Sequence, residues 1–325
     1  MLETLKRLRA LKRQTPPSAR IPARSSGRAP RRPLPRVLAT AVGLTLLVSA
    51  CGAPAGSGRS GDDDSQQAAS GPKVMASFYP LQWLTQQIAG DQISVGSLTP
   101  KGAEPHDSEL ELSQVSALGQ ADLLVTLGGF QAAVDEAITS NPPKAVLDAA
   151  DVVQILDGDP HFWLDPTLMA ELTGPIGEAL AQADPEGAQG YEERANATAD
   201  QLKALDEELA EGLTGFAGAT LVTTHAAFNY FANRYGLDAI SISGVDPEAE
   251  PSPARISEVA KQLEGLKVKT IYFEDQASPK TAEVLADRLG MTTAVLSPLE
   301  NDSAGDYLQV MQSNLGALQS GLVAP

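Results

Sequence analysis

Three histidines occur in 325 residues, and each stands in a turn-like segment. They read Gly102-Ala103-Glu104-Pro105-His106-Asp107, Asp159-Pro160-His161-Phe162-Trp163-Leu164-Asp165-Pro166, and Val222-Thr223-Thr224-His225 at the end of an apolar run. Imidazole is neutral near pH 7 and is the commonest side-chain ligand for metals such as Zn²⁺. A chain that uses His so sparingly, and sets each copy beside Pro, Asp or a strand end, points to one shared purpose. The alternative is three solvated or core imidazoles with nothing in common. Spacing does not decide between them, because gaps of 55 and 64 residues match no local metal motif.

The elements that must position these rings alternate along the chain. Lys73–Phe78, Ile93–Leu98, Leu123–Leu127 and Ala145–Leu147 read as strands in the first half; Leu221–Thr224, Ala239–Ser243, Thr270–Phe273 and Thr293–Leu296 do so in the second. Helical periodicity runs through Pro80–Ala89, Ser108–Leu118, Phe130–Ile138, Ala226–Tyr235, Pro253–Leu263, Pro279–Leu289 and Tyr307–Leu322, with a further helix beginning near Thr167. Alternating strand and helix predicts an α/β fold of two lobes, each a mainly parallel sheet flanked by helices. Between the halves, Gly187 to Leu213 is polar and free of strong breakers, with Leu202, Leu205, Leu209 and Leu213 at spacings of three and four. That pattern predicts one linking helix of about 25 residues; an ordinary surface helix inside one domain is the other reading. The expected boundaries are a leader at 1–50, a tether at 51–71, an N-terminal lobe at 72–185, the linking helix at 186–214 and a C-terminal lobe at 215–325.

In open α/β sheets, ligands bind beyond the carboxyl ends of the strands. His225 and Glu274 directly follow expected strands, His106 lies in the loop after Ile93–Leu98, and His161 precedes the helix near Thr167. Two candidates per half thus converge on an interlobe cleft. Three imidazoles and the Glu274 carboxylate would form the four-coordinate site that Zn²⁺ favours. Asp275 competes with Glu274, since side chains alternate along a strand, and Ser278 is a third possibility with a helix cap as its other role. Asp165 and Asp107 are candidates to accept a hydrogen bond from a ligating ring or to offset the ion's charge; Asp165 equally suits an N-cap.

Residues 1–36 hold eleven of the 24 Lys and Arg but one of the 41 acids, and an uncharged run, Val37–Ala50, follows. A basic segment before a short apolar one is a secretory leader, too short for a stable membrane span. It ends Leu47-Val48-Ser49-Ala50-Cys51-Gly52, which resembles a bacterial lipobox; cleavage before Cys51 and lipidation of that lone cysteine are implied. The Gly-, Ser- and Asp-rich stretch to Gly71 reads as a flexible tether. Beyond residue 36 the chain keeps 13 basic and 40 acidic residues, a formal charge of −27, which repels nucleic acid.

These segments resemble the zinc- or manganese-binding lipoproteins that deliver metal to bacterial ABC importers. Pro105-His106, the run Asp159 to Pro166, His225 with Ala226-Ala227-Phe228-Asn229-Tyr230-Phe231, Gly244-Val245-Asp246-Pro247-Glu248-Ala249-Glu250-Pro251-Ser252, and Phe273-Glu274 through Ser278-Pro279-Lys280 match the family in order, over Val74 to the C-terminus. The resemblance implies a lipid-anchored, extracytoplasmic, monomeric receptor, with a membrane permease as partner and one metal ion per chain. Manganese members tend to carry a carboxylate where His225 stands, so the third His points to zinc, with Mn²⁺ the alternative. Ala149–Gly158 lacks the histidines that many zinc members carry between the first two ligand segments.

Two other classes compete. A zinc hydrolase would need an open fourth coordination position and a second catalytic group, and no His-Glu-x-x-His helix, nucleophile elbow or Gly-rich phosphate loop occurs. An adhesin with a structural metal is the third. The expectation is a non-enzymatic zinc receptor.

Overall fold

The structure, a computed structural model, describes residues 71–156, 158–274 and 279–325. Cys51 with its leader and tether, and the alternative ligands Asp275 and Ser278, lie outside them.

Among the described residues, eight short strands form two four-stranded sheets. β1 (Val74–Ala76), β2 (Val95–Ser97), β3 (Leu123–Thr126) and β4 (Val146–Asp148) are ordered β2-β1-β3-β4. β5 (Thr220–Thr223), β6 (Asp238–Ser241), β7 (Thr270–Phe273) and β8 (Thr292–Val295) are ordered β6-β5-β7-β8. Every pairing is parallel. The central strands are apolar along their length, as in Leu123-Leu124-Val125, because helices cover both faces of a parallel sheet.

The helices are α1 (Tyr79–Ala89), α2 (Leu112–Leu118), α3 (Ala132–Ser140), α4 (Pro166–Ala183), α5 (Ala188–Leu213), α6 (Asn229–Tyr235), α7 (Pro253–Leu263), α8 (Lys280–Leu289) and α9 (Tyr307–Gly321). Several start at a side-chain cap. Asp165 accepts from the Thr167 amide at 2.9 Å ahead of α4, and Asp306 from the Leu308 amide at 3.0 Å ahead of α9.

The linking helix is α5. Its 26 residues span ~39 Å, and Tyr191, Ala195, Thr198, Leu202, Leu205, Leu209 and Leu213 bury one stripe. The apolar periodicity predicts this helix within a residue of its observed ends. It is fastened at both ends. Near its start, Arg194 donates to the Ile88 and Ala89 carbonyls at 2.7 and 3.1 Å, closing the end of α1. Further on, Asp206 takes Arg234 Nε at 2.8 Å and Tyr235 Oη at 3.1 Å from α6. A linker packed in this way resists bending, which keeps two sheets built from distant sequence in fixed register around the cleft.

Candidate metal centre

His106, on the loop after β2, and His161, which precedes a 3₁₀ turn at Phe162–Leu164, come from the first lobe. His225, one residue past Thr224 after β5, and Glu300, in the loop after β8, come from the second. One ligating atom from each of these four residues lies within 4.8 Å of all the others. Glu300 Oε1 stands 3.2 Å from His106 Nε2, 3.0 Å from His161 Nε2 and 3.4 Å from His225 Nε2. The Nε2 atoms of His161 and His225 are 3.2 Å apart. A tetrahedron with metal–ligand bonds of ~2.1 Å has edges of ~3.4 Å, so the cluster has the size of a zinc coordination sphere. Two imidazole nitrogens this close need a proton or a cation between them.

Each ring is aimed by a partner outside the cluster. His161 Nδ1 bonds Asp159 Oδ1 at 2.8 Å, and Asp159 is itself held by Asn229 Nδ2 at 2.9 Å. His225 Nδ1 bonds Glu274 Oε1. With a cation at the centre, a carboxylate on Nδ1 keeps the proton there, so that Nε2 offers its lone pair to the ion as a stronger donor; without one, Nε2 carries a proton towards Glu300. His106 is set through its backbone, with its amide donating to Glu104 Oε1 at 2.9 Å, and through its ring, edge-on to Phe130 at 4.8 Å.

Glu274, expected as the fourth member, therefore stands behind His225, and Glu300 takes the place in the cluster. The reason is strand geometry. Glu274, the residue after β7, meets His225 on its Nδ1 side, whereas Glu300, five residues past Val295 in the loop after β8, comes in on the Nε2 side. Asp165 caps α4, and Asp107 is exposed, its own amide donating to Glu104 Oε2 at 3.3 Å; neither carboxylate is hydrogen-bonded to one of the rings. Asp159 and Glu274 do the work expected of those two. Signals for both corrections exist in the sequence: Glu300 also follows an expected strand, and Asp159 precedes His161 by two residues.

The electrostatics follow from burial and charge. Burial would raise the Glu300 carboxyl, but hydrogen bonds from all three imidazoles outweigh it and hold the group well below the usual carboxylate range. Burial likewise opposes a charged His225, yet Glu274 and Glu300 together push it up to about 10 in the metal-free protein. Asp159 is lowered, since His161 overcomes its desolvation.

The approach to Glu300 is shaped too. A cavity of about 630 Å³, lined by Glu104, Glu248, Glu250, Glu274, Glu300 and Lys280 among others, opens onto it. Leu299, next to Glu300, has φ 59° and is the one non-glycine residue with positive φ among those described. For a branched apolar side chain the left-handed region costs about 1–2 kcal/mol, so the surroundings must hold this turn in place.

Two parallel-sheet lobes, a long helix between them and a buried cluster of three imidazoles and one carboxylate in the cleft define a two-lobed solute-binding protein. Residues 74–321 match the family described as zinc-uptake complex component A, periplasmic, and the chain belongs to this ZnuA family. It is 33% identical over 274 residues to the zinc-binding lipoprotein AdcA of Streptococcus pneumoniae, covering 76% of this chain and 55% of that protein. It is 30% identical over 312 residues to the high-affinity zinc uptake system protein ZnuA of Bacillus subtilis, covering 86% of this chain and 94% of that one. The Zn(II)-bound ZnuA-like domain of S. pneumoniae AdcA superposes with a TM-score of 0.68 at 35% identity, over 77% of this chain and 98% of that domain. The chain thus spans about half the length of the streptococcal AdcA relatives it matches.

Proposed function

We propose that the protein is an extracytoplasmic receptor that captures one Zn²⁺ with His106, His161, His225 and Glu300 and passes it to the permease of an ABC importer. The observation that carries this reading is four ligating atoms from two lobes, all within 4.8 Å of one another. Each lobe supplies two, so the ion bridges the cleft and its binding couples the lobes. The lipobox-like segment ending at Cys51 supports a lipid anchor at the outer face of the membrane, and the acidic cavity beside Glu300 favours entry of a cation. The receptor acts as a monomer.

Zinc is favoured over manganese because three imidazoles suit the borderline ion, whereas Mn²⁺ prefers oxygen-rich, six-coordinate sites. A hydrolase would need an open fourth position for water, and Glu300 stands there. The full chain in detergent micelles should bind about one Zn²⁺ against a competing chelator, and Mn²⁺ should displace it poorly. Wild-type zinc affinity in the His106→Ala, His161→Ala and His225→Ala variants alike would end this reading. Growth of a deletion strain on chelated medium, restored by zinc and by the wild-type gene only, separates transport from an adhesive role.

A further inference from the structure

We propose that Asn314 and Trp163 are positioning residues that lock the Glu300 loop into its metal-facing conformation before any ion arrives. The inference rests on the reading of Glu300 as a ligand.

Among the described residues, the last sheet contact of β8 is the Leu296 amide on the Phe273 carbonyl at 2.9 Å. Past it the chain leaves the sheet, and the backbone groups of Ser297 need new partners. Asn314 supplies both. Its Oδ1 accepts from the Ser297 amide at 2.9 Å and its Nδ2 donates to the Ser297 carbonyl at 2.8 Å, so one side-chain amide acts as an added rung of the sheet. One residue on, the Pro298 carbonyl accepts the Trp163 indole N–H at 2.8 Å. Trp163 belongs to the other lobe, two residues after His161, and its own carbonyl is held by Tyr307 Oη at 2.6 Å. The Leu299 amide closes onto Ser297 Oγ at 3.3 Å. The strained turn at Leu299 is thereby bracketed, and Glu300 emerges facing the rings.

Asn314 is unusual in its place. It lies inside α9 on the stripe of Val310, Met311, Leu315 and Leu318, at 4% exposure. A short amide is a poor helix-interior residue, and burying it is unfavourable unless every polar atom is used. Here both are used on a single residue of the Glu300 loop. Trp163 adds a second function: it joins the loop of one lobe to the ligand segment of the other without the ion, so His161 and Glu300 form a preassembled half-site.

The test is a double-mutant cycle on the full chain in micelles, with zinc affinity read against a competing chelator and the metal-free melting temperature followed alongside. Asn314→Ala and Trp163→Phe should each weaken zinc binding about 10- to 100-fold, the range seen when a ligand's support is removed. In a Glu300→Ala background neither change should weaken binding further, because the ligand they position is gone. Equal losses in both backgrounds, or wild-type affinity in both single variants, would overturn the proposal. Wild-type affinity in Glu300→Ala alone would instead overturn the reading of Glu300 as a ligand, and this inference with it. Should Asn314→Ala lose its melting transition, Trp163→Phe, which removes the indole N–H and part of a buried ring that also packs on His161, carries the cycle, with its loss read only as the difference between the Glu300 and Glu300→Ala backgrounds.

Discussion

The His106 loop and the Glu300 loop bring their ligands to the same point by different means. The Glu300 loop is gripped at successive residues by Asn314, Trp163 and Ser297, and its carboxylate is 5% exposed. The His106 loop is held more lightly. Its ring is 12% exposed, its amide rests on Glu104, and the preceding Pro105 carbonyl accepts from Gln131 Nε2 at 3.2 Å. A clamp that bears strain pre-orients its ligand, while a loop with a few contacts can yield. The difference teaches that the two loops are secured unequally: Glu300 and its neighbours are held from both lobes, whereas His106 keeps few contacts and a more exposed ring.

The largest effect should come from removing His161 or Glu300 itself. His161→Ala and Glu300→Ala should each weaken zinc binding about a hundredfold or more, since four ligands share a total of roughly 10–16 kcal/mol and each 1.4 kcal/mol is tenfold; chelator competition measures this. Glu274→Gln should cost less, about 10- to 100-fold, because it leaves all four ligating atoms in place. A larger loss from Glu274→Gln than from the glutamine variant of Glu300 would reverse the roles assigned to the two carboxylates.

Protons sharpen the comparison further. With His225 pushed up to about 10 in the metal-free protein, the ion must expel a proton from that ring throughout the neutral range. Zinc affinity should therefore fall as pH falls from about 10, by roughly tenfold per unit for one proton released. Titration calorimetry in buffers of different ionisation enthalpy should count about one proton at pH 8. In Glu274→Gln the dependence should move down towards the ordinary histidine range, ~6.5. The smallest effect is expected at the exposed edge of the His106 loop, where Lys101 pairs with Asp302 at 3.1 Å. An exposed ion pair contributes little, so Lys101→Ala should change zinc affinity by about twofold at most, with a somewhat faster release in stopped-flow exchange.

Much of this architecture is legible in the chain. The eight described strands were expected from short β-rich runs alternating with helical periodicity, and the linking helix from leucines at spacings of three and four. The three imidazoles were legible because histidine is rare here and each copy stands in a turn-like segment beside Pro, Asp or a strand end. The fourth member was not. Glu274 and Glu300 both follow strands of the second lobe, and adjacency to a strand end cannot rank them. Which one reaches the cleft depends on the angle at which the chain leaves the sheet, and that angle is set at Leu299 by Asn314 and Trp163, one 14 residues downstream of Glu300 and the other in the opposite lobe.

By itself, then, the sequence determined the alternation of strands and helices, the two-lobe plan, the linking helix and the trio of histidines, because periodicity and residue chemistry are local properties. Tertiary structure decided which carboxylates face the rings and which stand behind them, and which loop is clamped. The choice of Glu300 and the clamp on its loop turn on contacts between residues distant in the chain, such as the Trp163 indole on the Pro298 carbonyl at 135 residues' separation, and no local pattern encodes a distance of that kind.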